Sequence, residues 1–369
     1  MRVAVILTAR PSWAKLSPVV GALLAKGADV QLVVCASALL ERYGRVVDQV
    51  RQEYPDVPLT ECWSTYEGAT LLTSAKETGA LLSDLSTVLH RLQVARVVVC
   101  ADRHEVVAAA QSAAYLHLPL VHLQGGERSG SIDDKARDAI TALSDYHCVC
   151  TPAAAMRVYA LTGDYARIRV TGCPSIDLAH QVKDEPPVTR HELGGVGPDV
   201  DPEGPFLTLL QHPVTSEPDS YGQMQTTLEA LGQIHMPLVA FWPGEDAGQE
   251  GSAKALRDWR EARPSHSVRY VKTLPPKRFL KLLTQTRCLV GNSSAGIREA
   301  SYLGTPVVNI GSRQTGRERA SNVVDVPHDV TRILDAVQFQ RLRRYPSSAL
   351  YGRGDAAQKI AEVVCGRAS

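Results

Sequence analysis

Five polar loops, each directly after an apolar run, hold the residues of this chain best suited to chemistry. The first is Thr8-Ala9-Arg10-Pro11-Ser12-Trp13, where Arg10 offers a forked guanidinium to an anion and Ser12 suits a helix N-cap. The second is Asp102-Arg103-His104-Glu105. Its Asp can cap the Ala-rich helix that follows, or that helix N-terminus with the adjacent Arg103 can bind an anion. The third, residues 125–134, joins Gly125 and Gly126 to Glu127, Asp133 and Asp134. Adjacent glycines let a backbone turn or approach a ligand closely. Neighbouring carboxylates can be driven to different pKa values and so divide acid work from base work.

The fourth loop, His212-Pro213-Val214-Thr215, places a protonatable ring where it can hydrogen-bond a phosphate oxygen. The fifth runs Ser293-Ser294-Ala295-Gly296-Ile297-Arg298-Glu299. A strand end, small hydroxyls and a helix start there form a phosphate cradle. Glu299 falls about one and a half turns into that helix, within reach of a ribose hydroxyl pair. Arg313 and Arg317 follow a further apolar run. Each loop also has a plainer reading: a surface Arg, a capping Asp, a solvated acidic loop, a locally bonded His. Their recurrence at equivalent places argues for the functional one.

Those places are set by alternating apolar runs and helical patterns, which read as βα units and parallel sheets. The runs in the first half are 3–8, 30–36, 95–101, 119–124, 147–151 and 168–172; in the second they are 206–212, 237–243, 267–271, 288–292 and 305–311. A chain of 369 residues exceeds one ordinary core. The expected organisation is an α/β fold of two doubly wound, Rossmann-like domains facing across a cleft. Their bounds are 1–183 and 206–353, with 184–205, dense in Pro and Gly, as linker and exposed loop. Ligands of such sheets bind outside the carboxyl ends of the strands.

Other classes are disfavoured. Lys plus Arg total 40 against 39 Asp plus Glu, which leaves no broad basic face for nucleic acid or a membrane surface. The eight cysteines lie mostly in or beside apolar runs and lack zinc-site spacing, so they read as core residues in a reducing compartment. No GKT or GKS follows a glycine loop, and no convincing GxGxxG follows the first run. Neither a Walker-type NTPase, a nicotinamide enzyme nor a metal site is expected, and no cofactor. The apolar start of the chain is too short for a signal peptide or a membrane span, so a cytoplasmic protein is expected.

The motifs ADRHE (101–105), HLQGGERSGSIDD (122–134), GCPSID (172–177), QHPVT (211–215), DAG (246–248), GNSSAGIREA (291–300), LGTPVVNIGSRQTGRE (303–318) and YGRGDA (351–356) closely resemble the hydrolysing UDP-N-acetylglucosamine 2-epimerases of sialic acid biosynthesis. The resemblance spans nearly the whole chain and implies the GT-B arrangement, a UDP-sugar substrate, and a homodimer or homotetramer. It implies that Arg10, His212, Ser293, Ser294 and Arg313 hold the UDP, with Glu299 on the ribose and Arg103 near the phosphates. Asp134 and Arg137 join the substrate-binding set. Asp102, Glu127 and Asp133 become the acid/base candidates, with the division between acid and base open. Residues 354–369 would form a helix crossing back to the first domain. Three positions depart from the family's usual pattern: Ala101 stands for Gly, Asp138 for the His after Arg137, and Gly244 for Asn. Competing readings are a paralogue acting on another nucleotide sugar or nucleotide in a specialised pathway, an acceptor-dependent GT-B glycosyltransferase, and a non-catalytic nucleotide-sugar sensor or scaffold.

Overall fold

The protein is described from a computed structural model, covering residues 1–66, 70–130, 132–243, 248–263 and 266–366. It divides into two units: Met1–Glu127, Ile132–Asp177 and Tyr351–Ser369 form unit 1, and Arg128–Ser131 and Leu178–Leu350 form unit 2.

Unit 1 is built on a parallel sheet of strands β1 (Arg2–Leu7), β2 (Asp29–Cys35), β3 (Leu59–Cys62), β4 (Arg96–Cys100), β5 (Leu120–Leu123), β6 (Tyr146–Val149) and β7 (Ile168–Val170). They lie in the order β3-β2-β1-β4-β5-β6-β7. The runs are nearly all apolar because helices cover both faces. On β1, Val3, Val5 and Leu7 face one core with Trp13, Leu16 and Leu23 of the Arg10–Ala25 helix. Ala4 and Ile6 face the other, with Leu81, Leu85 and Leu89 of the Leu71–Leu92 helix. Four-residue spacing puts those leucines on one helix face, and each contributes roughly 1.5–3 kcal/mol by burial.

Unit 2 carries a second parallel sheet, from β8 (Leu207–Leu210), β9 (Leu238–Phe241), β10 (Val268–Val271), β11 (Cys288–Gly291), β12 (Val307–Ile310) and β13 (Val323–Val326). Their order is β10-β9-β8-β11-β12-β13. Both units are thus Rossmann-like. β3 and β13 have no counterpart among the expected runs. Both are edge strands, half-buried along most of their length, and so need no continuous apolar stretch.

Segment 184–205, expected as a linker and exposed loop, is largely exposed, and a few buried residues anchor it on unit 2. Val188, Leu193 and Val200 are buried with Phe206, Val239 and Phe241. Arg278 donates to the carbonyls of Pro186 and Pro187 at 3.0 and 2.9 Å, and to Glu192 at 2.7 Å. The density of Pro and Gly hid three apolar residues that join this core. The Ala356–Cys365 helix belongs to unit 1, where Ile360, Ala361 and Val364 join the β1 core. Asp177 accepts from the Ala356 and Ala357 N–H groups at 3.1 and 2.7 Å, and Arg96 donates to the Val363 carbonyl at 2.9 Å. One end of that helix is thereby satisfied by a carboxylate and the other by a guanidinium. Among the described residues, no helix is long and apolar enough to cross a membrane.

Candidate active site

In each sheet the strand order reverses once, between β1 and β4 in unit 1 and between β8 and β11 in unit 2. The loops leaving two neighbouring strands there diverge and open a crevice at the strand ends. Arg10 and Asp102 flank the first reversal; His212 and Ser293 flank the second.

In unit 1, Arg10 is the first residue of its helix, and Ala9, not Ser12, holds the N-cap position. Pro11 suits that first turn, which draws the buried Ser12 inside the helix. After β4, Ala101 adopts φ +73°, a left-handed conformation costly to any residue with a Cβ. This is the position where the resembled family has Gly. Asp102 is not the N-cap of the His104–Tyr115 helix; Arg103 occupies that position, and its side chain does not cap the helix. Asp102 is instead ion-paired with Arg137 of the Asp133–Leu143 helix.

Arg137 is the centre of the cluster, with 1% of its surface exposed. Besides Asp102, its guanidinium donates to Asp134 at 2.5 Å and to the Glu127 carbonyl at 2.6 Å. Burial opposes its charge, but the charges of Asp102, Glu127 and Asp134 outweigh that and hold it protonated. Glu127 is itself buried. Asp133 and Asp134 form the first turn of their helix, where the positive end of the macrodipole favours carboxylates. Three of the expected residues (Asp102, Glu127 and Asp134) are therefore gathered by a fourth. Asp133 lies one residue from Asp134 on that turn.

Arg103, expected beside the phosphates, lays its guanidinium along buried Glu105, with nitrogens at 3.0 and 3.1 Å from its oxygens. Burial raises the Glu105 pKa, yet the charges of Arg103 and His104 bring it below the ordinary value. His104 lies between Glu105 (3.4 Å) and Glu77 (3.1 Å). Glu77, His104 and Glu105 bring ligand-type atoms within 4.8 Å of one another, but Glu105 is already ion-paired with Arg103 and Glu77 is hydrogen-bonded to His104. Burial pulls the His104 pKa down from 6.5, while the Glu105 charge and the Glu77 hydrogen bond outweigh it and raise it overall. A raised folded pKa means stability fully present below about 6.5 and lost as pH climbs through the folded value. Substituting His104→Gln is expected to destabilise more at pH 6 than at pH 9, measured by urea unfolding. Equal losses at both pH values would refute this.

In unit 2, the buried Asn292 joins the two loops at the reversal. Its Oδ1 accepts from the His212 N–H at 2.7 Å and its Nδ2 donates to the His212 carbonyl at 2.8 Å. Its own carbonyl accepts from Gln314 at 2.8 Å and from Arg313 at 3.4 Å. Through its side-chain amide on His212 and its backbone carbonyl on Arg313, one asparagine thus draws both toward the loop that begins at Ser293. Gly291 precedes it at φ +133°, with the β8 backbone so close that a Cβ would meet the Leu210 carbonyl oxygen at 2.2 Å.

The helix after Ser293 is a single turn, Ser294–Ile297, capped by Ser293 Oγ accepting from the Ala295 N–H at 3.3 Å. The chain breaks at Arg298 and a second short helix begins at Glu299. Glu299 therefore stands at a helix start rather than one and a half turns into a helix. The cradle offers local N–H groups, not a long dipole. Glu299 is 7% exposed, and its Oε2 is buried with no hydrogen-bond partner among the described residues. A buried carboxylate oxygen in that condition favours a ligand that brings a donor, as a ribose hydroxyl does.

Two residues that hold site side chains escaped the sequence reading as such: Glu77, which bonds His104, and Asn292, which bonds His212. Asn292 left a trace, as the polar end of an apolar run. Gly244 and residues 246–247 of the DAG motif lie outside the described residues.

Comparison with known proteins bears on this arrangement. The family model described as UDP-N-acetylglucosamine 2-epimerase matches residues 22–365. A UDP-N,N'-diacetylbacillosamine 2-epimerase (hydrolyzing) of Legionella pneumophila is 29% identical over 344 residues, covering 91% of this chain and 88% of the relative. A UDP-N-acetylglucosamine 2-epimerase of Neisseria meningitidis is 27% identical, covering 98% of this chain and 94% of the relative. Among solved structures, the UDP-GlcNAc 2-epimerase from Neisseria meningitidis bound to UDP-GlcNAc superposes with a TM-score of 0.82 at 17% identity, over all of both chains.

Proposed function

Because the chain belongs to the UDP-N-acetylglucosamine 2-epimerase family, we propose that it is a hydrolysing member that converts UDP-N-acetylglucosamine and water to N-acetylmannosamine and UDP. The observation that carries this reading is the buried Arg137, which draws Asp102, Asp134 and the Glu127 backbone into one cluster at the unit 1 strand ends. Such a set fits proton chemistry on a sugar; a protein that only bound the nucleotide would need the phosphate residues alone.

The sugar C2–H is not next to a carbonyl, so direct proton removal is difficult. In the proposed route the C1–O bond breaks first, leaving cationic character at C1 and negative charge on the departing diphosphate. Arg10, His212, Arg313 and the N–H groups around Ser293 and Ser294 stabilise that charge. Glu299 holds the ribose. Cationic C1 acidifies C2–H, and one carboxylate of Asp102, Glu127 and Asp133 removes the proton, leaving a 2-acetamidoglucal. Water then adds its hydroxyl at C1 while C2 gains a proton on the opposite face. Asp102 is the carboxylate of this set that forms an ion pair with the Arg137 side chain at the strand reversal. Arg103, bound to Glu105, serves this scheme by fixing the loop after β4. A homo-oligomer acting in the cytoplasm is part of the same proposal.

A second reading is supported by the Legionella pneumophila relative, named for UDP-N,N'-diacetylbacillosamine: the same reaction on a different UDP-linked amino sugar. Both are tested by following each of the two UDP-sugars in D₂O by NMR. The expected result is a free, C2-deuterated 2-epimer together with UDP. A UDP-linked epimer as product would identify a non-hydrolysing enzyme, and UDP release without deuterium at C2 would exclude 2-epimerisation.

A further inference from the structure

We infer that His122 is a positioning residue: bridging Thr141 to the Ala101 carbonyl, it straps the left-handed turn that presents Asp102. The inference rests on the reading of Asp102 as part of the acid/base set. It starts from a buried histidine on β5 that the proposed chemistry does not use.

The imidazole is wholly buried. Nε2 lies 2.9 Å from the Ala101 carbonyl oxygen and Nδ1 lies 3.1 Å from Thr141 Oγ1. A carbonyl only accepts, so Nε2 must carry the hydrogen. Burial holds the ring neutral, with its pKa lowered to about 4, so Nδ1 accepts from the Thr141 hydroxyl. The bond has a single direction throughout: Thr141 to His122 to Ala101.

Its end point is the strained residue. Ala101 sits at φ +73° immediately before Asp102, and no glycine relieves that turn. Left to itself, the turn would relax toward right-handed or extended backbone and carry Asp102 with it. Thr141 lies one helical turn after Arg137, on the same buried helix face. The Asp133–Leu143 helix thus grips this turn twice, through Arg137 on the Asp102 carboxylate and through Thr141 and His122 on the Ala101 carbonyl. Gly125 leaves the second arm its space. A Cβ there would lie 3.0 Å from His122 Nδ1 and 3.1 Å from Thr141 Oγ1.

A packing role and a strap differ in one respect: glycine at position 101 adopts the left-handed turn without restraint. His122→Leu is expected to lower kcat by roughly 5- to 30-fold, the factor matching the left-handed cost of a residue with a Cβ, with KM little changed. In the Ala101→Gly background the same substitution should cost no more than about 3-fold. Equal losses in the two backgrounds would overturn the strap. If His122→Leu does not fold, Thr141→Val, which removes only the donor to Nδ1, carries the same cycle with the same two outcomes.

Two readouts are independent of turnover. Imidazole ¹⁵N shifts of the full-length protein should show a neutral Nε2–H tautomer from pH 6 to 8, and an Nδ1–H tautomer would end the proposal. The stability cycle between positions 101 and 122 should show coupling, and additivity would count against it. Asp102→Asn measured alongside separates the two failures. If it keeps turnover, the acid/base reading falls while the tautomer and the stability coupling still decide the strap.

Discussion

Asp102→Asn is expected to lower kcat by about 10²–10⁴, the span lost when a positioned acid or base is removed, with UDP affinity close to wild type. Asp102 stands at the unit 1 strand reversal and is paired with a guanidinium that burial denies any solvent counter-charge. The amide is nearly isosteric and can still turn its oxygen to Arg137, so the backbone has little reason to move. What it cannot do is accept a proton. The nucleotide contacts proposed for His212, Ser293, Ser294, Glu299 and Arg313 lie on other loops, which is why binding should survive. The decisive comparison is with Asp134→Asn, which removes a carboxylate from the same guanidinium. If both variants lose activity equally, Asp102 matters through charge pairing and not as a base. If Asp102→Asn stays within about 3-fold of wild type, Asp102 leaves the acid/base set.

Arg137→Met should produce the largest stability loss of any single substitution in this site, about 3–5 kcal/mol. The guanidinium contributes three charge-assisted bonds at once, to Asp102, to Asp134 and to the Glu127 carbonyl. Methionine fills much of the volume but supplies no donor. The carboxylates are left crowded in a site of low dielectric, where removing one partner of a buried pair costs far more than the pair was worth against an apolar replacement. Arg137→Lys should recover only part of the loss, because an ammonium cannot present a planar fork to three acceptors. Calorimetric unfolding measures both variants. A loss below about 1 kcal/mol for Arg137→Met would mean that the carboxylates find other partners and that the cluster is not held by this residue.

Much of this protein was open to reading before any fold was known. Strands buried on both faces need continuous apolar runs, and among the described residues eleven of the thirteen strands fall on runs recognised that way. Loops at strand ends must be polar wherever ligands bind, so Arg10, Asp102, Glu127, His212 and Ser293 stood out by type and place. Misreadings arose where local composition was a poor guide. In 184–205, prolines and glycines masked Val188, Leu193 and Val200, which are core residues. Ser12 has the chemistry of a cap, but Pro11 lets the helix begin before it. The continuous helix expected through Glu299 is interrupted at Arg298 by a backbone bend that no residue type announces.

Sequence alone determined which side chains lie at the ends of the strands, because periodicity and polarity are properties of neighbours along the chain. Only the tertiary structure decided which of them meet. Arg137 reaches Asp102 because β4 and β5 are adjacent and the helix after β5 packs over both loops. Asn292 reaches His212 because β8 and β11 are adjacent although some eighty residues separate them. Strand order is a global outcome of burying two sheet faces at once. The strength of a charge pair depends on how much water that burial excludes, and neither is written in any short stretch of sequence.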